Sequence, residues 1–236
     1  MQLFYFPQAT ATTTLLSLEK EDTRHITKVL RKKVGDQVSI TNGTGDLFDG
    51  TITQLTSNKC SLKLQHVKFE PAPSGQLHIA IAPTKMNDRM EWFLEKSTEL
   101  GITEITPLLC SNSERRSIKW DRFDKILVSA MKQSLQLHKP KLNELTSLEE
   151  FMETESSSIK LIAHCEQTQK KHLSGFLEKD LEITLLIGPE GDFTPQEIEQ
   201  ALVKNYQPVH LGATRLRTET AGVYAASLFN AAQQQS

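Results

Sequence analysis

Two segments near the C-terminal end carry the residues best placed to do chemistry. One reads Leu185-Leu186-Ile187-Gly188-Pro189-Glu190-Gly191. The other reads Leu211-Gly212-Ala213-Thr214-Arg215-Leu216-Arg217-Thr218-Glu219-Thr220-Ala221. Each is a short apolar run that ends in a glycine-bearing loop, and each loop opens a helix. Glycine lets a backbone come close to a ligand or take φ > 0, and strand–loop–helix junctions are where open α/β sheets bind their ligands. Two such junctions in sequence could grip one small molecule between them. In the second, Arg217 and Glu219 place a cation and a carboxylate in one loop, a stabiliser for developing negative charge beside a possible proton acceptor. Each also has a plainer reading: Glu219 as a first-turn acid at a helix N-terminus, Arg217 as half of an ion pair.

A second group of candidates is cationic. Arg24, Lys28 and Arg31 recur at i, i+4 and i+7, which lines one helical face and leaves Ile26, Val29 and Leu30 to point inward. Lys32 and Lys33 extend the patch. Arg115-Arg116-Ser117-Ile118-Lys119 follows an apolar run ending near Leu109, so it belongs in a loop at a sheet edge. Such stripes position phosphates rather than read bases; the alternative is a solvated charged face. The net charge of −2 argues against a generally basic nucleic-acid binder, but residues 1–141 carry +5 and residues 142–236 carry −7. A phosphate-bearing partner would prefer the first part of the chain. Cys60, Cys110 and Cys165 are far apart and odd in number, and His78, His164 and His210 have no metal-like spacing, so no metal is expected and these residues read as packing or surface groups. No GxGxxG follows the run Leu77–Ala82, which disfavours a Rossmann oxidoreductase.

The elements that must hold these residues change character along the chain. Over the first seventy residues short alternating runs are split by turn clusters such as Asn42-Gly43-Thr44-Gly45-Asp46, which suggests a small β-barrel. It should contain one helix, with Asp22 as N-cap and an amphipathic run to about Arg31. Pro71-Ala72-Pro73-Ser74-Gly75 is the best linker. Beyond it, strand-length apolar runs at Leu77–Ala82, Ile105–Leu109, Ile159–Ala163, Ile183–Ile187 and Val209–Leu211 alternate with helical segments. These helices are expected at Asn87–Leu100 with Gly101 beyond its end, Asp121 to about Leu137, from Thr194-Pro195-Gln196-Glu197 onward, and Glu219 to about Gln233. Residues 149–158 should form a surface helix and loop. Alternating strands and helices imply a parallel sheet covered on both faces. No apolar run approaches the ~20 residues of a membrane span, and the N-terminus does not read as a signal peptide. A cytoplasmic protein is expected.

The two C-terminal segments, taken as GPEG-D-F-T-x-x-E followed by LG-A-x-x-L-R-T-E-T-A, resemble the RsmE family, which methylates small-subunit (16S) ribosomal RNA and belongs to the SPOUT class of S-adenosylmethionine (SAM) methyltransferases. The resemblance implies an α/β fold: a SPOUT trefoil-knotted parallel sheet with helices on both faces over residues 73–236, preceded by a small PUA-like RNA-binding β-barrel over residues 1–72. It implies SAM as cofactor, without a metal, held largely by main-chain groups at Ile187, Gly188, Glu190, Gly191, Leu211, Gly212, Leu216, Thr218 and Ala221. It implies methyl transfer to N3 of a uridine near the decoding centre, and for that reaction the cation and carboxylate of Arg217 and Glu219 are the expected catalytic residues. RNA is expected at Arg24, Lys28, Arg31 and Lys32, within a segment similar to the family's H-x-x-x-V-L-R, and at Arg115 and Arg116. The implied partners are 16S rRNA or the 30S subunit and a second copy of the chain, with no membrane. Residues Lys132 and Gln136 depart from the family's E-Q-S-x-R, and Gln2 and Leu3 stand where arginine is common. A different RNA target, or a binder without activity, are the other readings.

Overall fold

A computed structural model describes residues 2–154 and 158–234 of the 236-residue chain. The chain forms two compact units. One holds the chain up to Ala72 together with Met131–Lys139; the other holds Pro73–Ala130 and the chain from Pro140 on. The expected division after residue 72 coincides with the first boundary, and Met131–Lys139 groups with the first unit in addition.

The first unit contains β1 (Leu3–Tyr5), β2 (Leu15–Leu18), α1 (Lys20–Arg24), a π-helical turn (His25–Val29), β3 (Gln37–Thr41), β4 (Asp46–Leu55) and β5 (Cys60–Phe69). The strands pair in the order β1-β3-β4-β5-β2, with only the β1–β3 pairing parallel. Alternating residues of β4 and β5 bury Phe48, Ile52, Leu62 and Leu64 in one core with Phe4, Ile26 and Ile40. Two irregularities in the β4–β5 register let these ten-residue strands bend around that core.

The helix here differs from the sequence expectation. It starts at Lys20 after Glu19, not at Asp22, and at His25 it widens into π geometry, with the Leu30 amide donating to the His25 carbonyl at 3.0 Å. Arg31 then takes φ +52°. The wider turn breaks the 3.6-residue period on which the inward face was drawn. Ile26 is fully buried and Leu30 packs on the core, but Val29 is 65% exposed.

The second unit is built on a parallel sheet. Its elements are β6 (Gln76–Ile81), α2 (Asn87–Glu99), β7 (Glu104–Leu109), α3 (Trp120–Gln133, whose residues from Met131 on group with the first unit), β8 (Lys141–Leu142), β9 (Thr146–Ser147), α4 (Leu148–Met152), β10 (Ile159–Ala163), β11 (Lys171–His172), a 3-10 turn (Leu173–Phe176), β12 (Glu182–Ile187), α5 (Pro195–Val203), β13 (Gln207–His210) and α6 (Thr218–Gln233). The order is β11-β13-β10-β12-β6-β7-β8, with β9 beside β7. Helix α3 ends at Gln133, short of the expected Leu137, and Leu135 follows at φ +60°. Of the helix and loop expected over residues 149–158, α4 accounts for the start, and residues 155–157 lie outside the described residues.

Two hydrophobic clusters explain why the strands read as continuous apolar runs. In β6, Leu77, Ile79 and Ile81 face the cluster covered by α2, α3 and α6, while Ala80 faces the cluster covered by α4 and α5. In β12, Leu185 and Ile187 face the first and Leu186 the second. Both faces of a parallel sheet must be dry, so alternation is lost. Helix α6 packs closely on α2: a Cβ on Gly222 would lie 2.4 Å from the Phe93 ring. The small residues Ala221, Gly222, Ala225 and Ala226 are thus core of this unit. Capping follows the sequence signals. Gly101 takes φ +83° just beyond α2, and Thr194 and Glu197 form a reciprocal capping box on α5.

Candidate cofactor site

Strands β13, β10 and β12 are neighbours and run parallel, so the loops that follow them emerge at one edge of the sheet. Chain order and sheet order part company there, since β12 lies on one side of β10 and β13 on the other. That is the topological switch at which open α/β sheets place their ligands. A cavity of about 740 Å³ lies among the three loops. Its walls are Ala163–Thr168 and Lys170 after β10, Ile187–Glu190 and Asp192 after β12, and Val209–Thr218 after β13, with Ala221 of α6. The volume falls within the range of small-molecule and cofactor sites.

Hydrogen bonds tie the three loops to one another. Thr218 Oγ1 donates to the Gly188 carbonyl at 3.0 Å, joining the second loop to the third. The Cys165 amide donates to Asp192 Oδ2 at 2.7 Å, joining the first to the second. Asp192 also accepts from its neighbour Phe193 through Oδ1 and holds φ +64°. Lys170 Nζ closes the first loop by donating to the carbonyls of His164 (2.6 Å) and Glu166 (2.7 Å). Gly212 sits at φ +131°, a conformation open to glycine, with its amide donating to His210 Nδ1 at 3.3 Å. Burial pushes the His164 imidazole below its ordinary pKa, and the nearby Lys170 ammonium adds to this. The neutral ring of His164 is thereby favoured, and its Nδ1 is buried with no hydrogen-bond partner among the described residues.

The structure sorts the expected residues. Ile187, Gly188, Glu190, Leu211, Gly212, Leu216, Thr218 and Ala221 line the cavity. Gly191 stands behind the wall, its carbonyl accepting from Asn112 Nδ2 at 3.3 Å. Arg217 is the N-cap residue of α6, exposed at the cavity wall. Glu219 is not brought into the cavity with it. Residues i and i+2 of a helix point apart, and Glu219 is buried, with Oε1 3.8 Å from Arg89 Nε and Oε2 without a hydrogen-bond partner among the described residues. Arg24, Lys28 and Arg31 are exposed on the first unit and Lys32 is half-buried. Arg116 is exposed, but Arg115 is half-buried, donating from Nε to the Thr84 carbonyl (3.0 Å) and from Nη2 to that of Lys85 (2.7 Å).

The match to known proteins follows the same lines. The model of the RNA methyltransferase domain family matches residues 70–230, and that of the RNA methyltransferase PUA domain matches residues 18–65. Ribosomal RNA small subunit methyltransferase E of Rickettsia conorii is 30% identical over 205 residues, which cover 85% of this chain and 83% of that one. The chain belongs to the ribosomal RNA small subunit methyltransferase E family. A crystal structure of a probable rRNA-methyltransferase from Porphyromonas gingivalis is similar over 99% of this chain and 98% of its own, with a TM-score of 0.90 at 36% identity. The family's enzyme from Neisseria gonorrhoeae, solved bound to S-adenosyl methionine, covers 96% of this chain and 95% of its own, with a TM-score of 0.84 at 27% identity. The fold class is accordingly the SPOUT α/β class with an N-terminal PUA-like domain, and the chain is an RNA methyltransferase.

Some residues of this methyltransferase's cavity escaped the sequence reading. His164, Cys165 and Lys170 line it, yet no motif marks them; Asp192, which braces it, stands in the first motif but was given no role. The available signal was positional: His164 follows directly on the apolar run Ile159–Ala163, and the end of a parallel strand is where ligand contacts gather. Among the described residues no helix is long and apolar enough to cross a membrane.

Proposed function

We propose that the three-loop cavity holds S-adenosylmethionine and that the enzyme methylates N3 of one uridine in 16S rRNA, near the decoding centre. The observation that carries this reading is the cavity itself: main-chain groups of three strand-end loops, two of them glycine-bearing and helix-opening, tied together by Thr218 and Asp192. Its donor set fits the cofactor. Backbone amides and carbonyls can read an adenine edge, and Ile187, Leu211, Leu216 and Ala221 supply apolar surface for the ring. Gly188 and Gly212 keep the wall close to the ligand, and Glu190 and Gly191 complete the loop. When bound, the cofactor supplies an electrophilic methyl group on a sulfonium, which needs no metal.

The rest is the work of the chain. Uridine N3 carries a proton at neutral pH and is a weak nucleophile until that proton leaves. Arg217, exposed at the wall and without an ion pair among the described residues, stabilises the negative charge that develops on the uracil oxygens. Glu219 acts from beneath, its buried carboxyl group in the first turn of α6 set 3.8 Å from Arg89. Arg24, Lys28, Arg31, Lys32 and Arg116 position RNA phosphates. The partners in this reading are the 30S subunit or its 16S rRNA and a second copy of the chain, the latter checked by light scattering at micromolar concentration.

The test is methyl transfer from labelled cofactor to small subunits and to naked rRNA from a strain lacking the gene, with the product mapped by primer-extension stop. A single blocked uridine is expected. Cofactor binding with no label transferred to either substrate would move the reading to another RNA or to a binder without activity.

A further inference from the structure

The loop after β7, from Cys110 to Arg116, reaches the Gly188–Asp192 loop by direct and relayed contacts. Asn112 Nδ2 donates to the carbonyls of both Gly191 (3.3 Å) and Asp192 (3.1 Å). The packing there is tight, since a Cβ on Gly191 would stand 3.1 Å from Asn112 Cβ. The relay runs through Arg115. Its guanidinium grips two successive carbonyls, of Thr84 and Lys85, and the Lys85 amide then donates to Glu190 Oε1 at 3.0 Å. Lys85 Nζ is held in turn by Glu114 at 2.7 Å. A planar guanidinium can hold two acceptors in fixed directions, which an ammonium cannot.

We propose that Asn112 and Arg115 are positioning residues for the methyl-donor site: they brace the Gly188–Asp192 loop from behind, and Arg115 takes no part in contacting RNA. The inference rests on the reading of the cavity as the cofactor site. Asn112 holds the main chain where Gly191 turns towards Asp192. Arg115 fixes the carbonyl pair that aims the Lys85 amide at Glu190, a cavity-wall residue. Loss of either brace leaves the cavity residues in place but loosens the loop that carries them.

Titration calorimetry with S-adenosylmethionine, beside RNA binding measured over a range of salt, separates the two possible roles of Arg115. Positioning predicts that Arg115→Ala and Asn112→Ala weaken cofactor binding by roughly 2- to 30-fold, the range expected for groups acting through a network. It predicts that Arg115→Lys does the same, because the charge remains but the fork is gone. It also predicts an unchanged salt slope for RNA binding, and coupling rather than additivity between Arg115→Ala and Glu190→Ala in cofactor affinity. A phosphate contact predicts the reverse: cofactor binding intact, Arg115→Lys like the parent, and a salt slope lowered by about 1 in Arg115→Ala. That result overturns the inference. If Arg115→Ala does not fold, Arg115→Lys and Asn112→Ala decide the matter. If the parent protein itself binds no cofactor, the reading of the cavity fails instead.

Discussion

Thr218 offers a sharp test of how the site is held. Its hydroxyl is buried and donates to the carbonyl of Gly188, itself buried, at 3.0 Å. Valine matches threonine in shape and differs little from it in helix propensity, so Thr218→Val leaves the first turn of α6 intact and removes one donor. The lost bond and the stranded carbonyl together cost about 1–3 kcal/mol. A thermal transition of a protein of this size moves by about 2–4 °C per kcal/mol, so the second unit should melt roughly 2–12 °C lower. The bond also holds together the second and third loops of the cavity. The part of the cost that appears as lost pre-organisation should weaken S-adenosylmethionine binding, with about 1.4 kcal/mol corresponding to tenfold. Thr218→Ser keeps the donor and should stay within about threefold of the parent. Calorimetry with the cofactor and thermal melts of both variants read the two effects. Parent-like affinity and melting in Thr218→Val would refute the reasoning, as would a serine variant as weak as the valine one.

Other expectations follow from the same geometry. Arg217→Ala should lower turnover by about 10²–10³-fold, the scale of a lost charge-stabilising donor, while cofactor affinity measured by calorimetry stays within error. Gly222→Ala should gain about 1 kcal/mol of helix propensity yet melt lower than the parent, because overpacking against the buried Phe93 ring costs about 1–3 kcal/mol; Gly222→Val should melt lower still. His164 and His78 are both held by burial below the ordinary histidine value of 6.5. The unfolded chain therefore takes up protons first as pH falls. Their contribution to stability is complete above about 6.5 and is lost below it, and denaturant titrations of His164→Gln with His78→Gln should show a flatter acid limb. Replacing Arg24, Lys28 and Arg31 together with glutamine should reduce the salt slope of RNA binding by up to about 3.

The strand and helix plan of the second unit could be read from residue order because local rules and burial agree there. Five apolar runs became five central strands, with no end shifted by more than two residues. The caps at Gly101 and at Thr194 with Glu197 are formed by neighbours in sequence. The cavity was also foreseeable in outline, since eight of the nine expected cofactor positions line it. Each lies in or beside a loop whose glycine and apolar pattern is local.

What depended on the tertiary structure has a common cause: contact between residues distant in the chain. Asn112 and Gly191 are neighbours only because β7 and β12 both flank β6. Arg115 looked like a surface cation until its reach to Thr84 and Lys85 gave the guanidinium two carbonyl acceptors. Glu219 seemed to share a loop with Arg217, but the helix started one residue earlier than expected and turned the carboxylate towards Arg89. The cationic stripe was drawn on a 3.6-residue period that the π turn at His25 does not keep, so Val29 faces solvent. Sequence patterning specified the elements and the motif loops, because those depend on residues a few positions apart. Which side chains face the cavity, and which brace it from behind, was decided by the parallel order of the sheet.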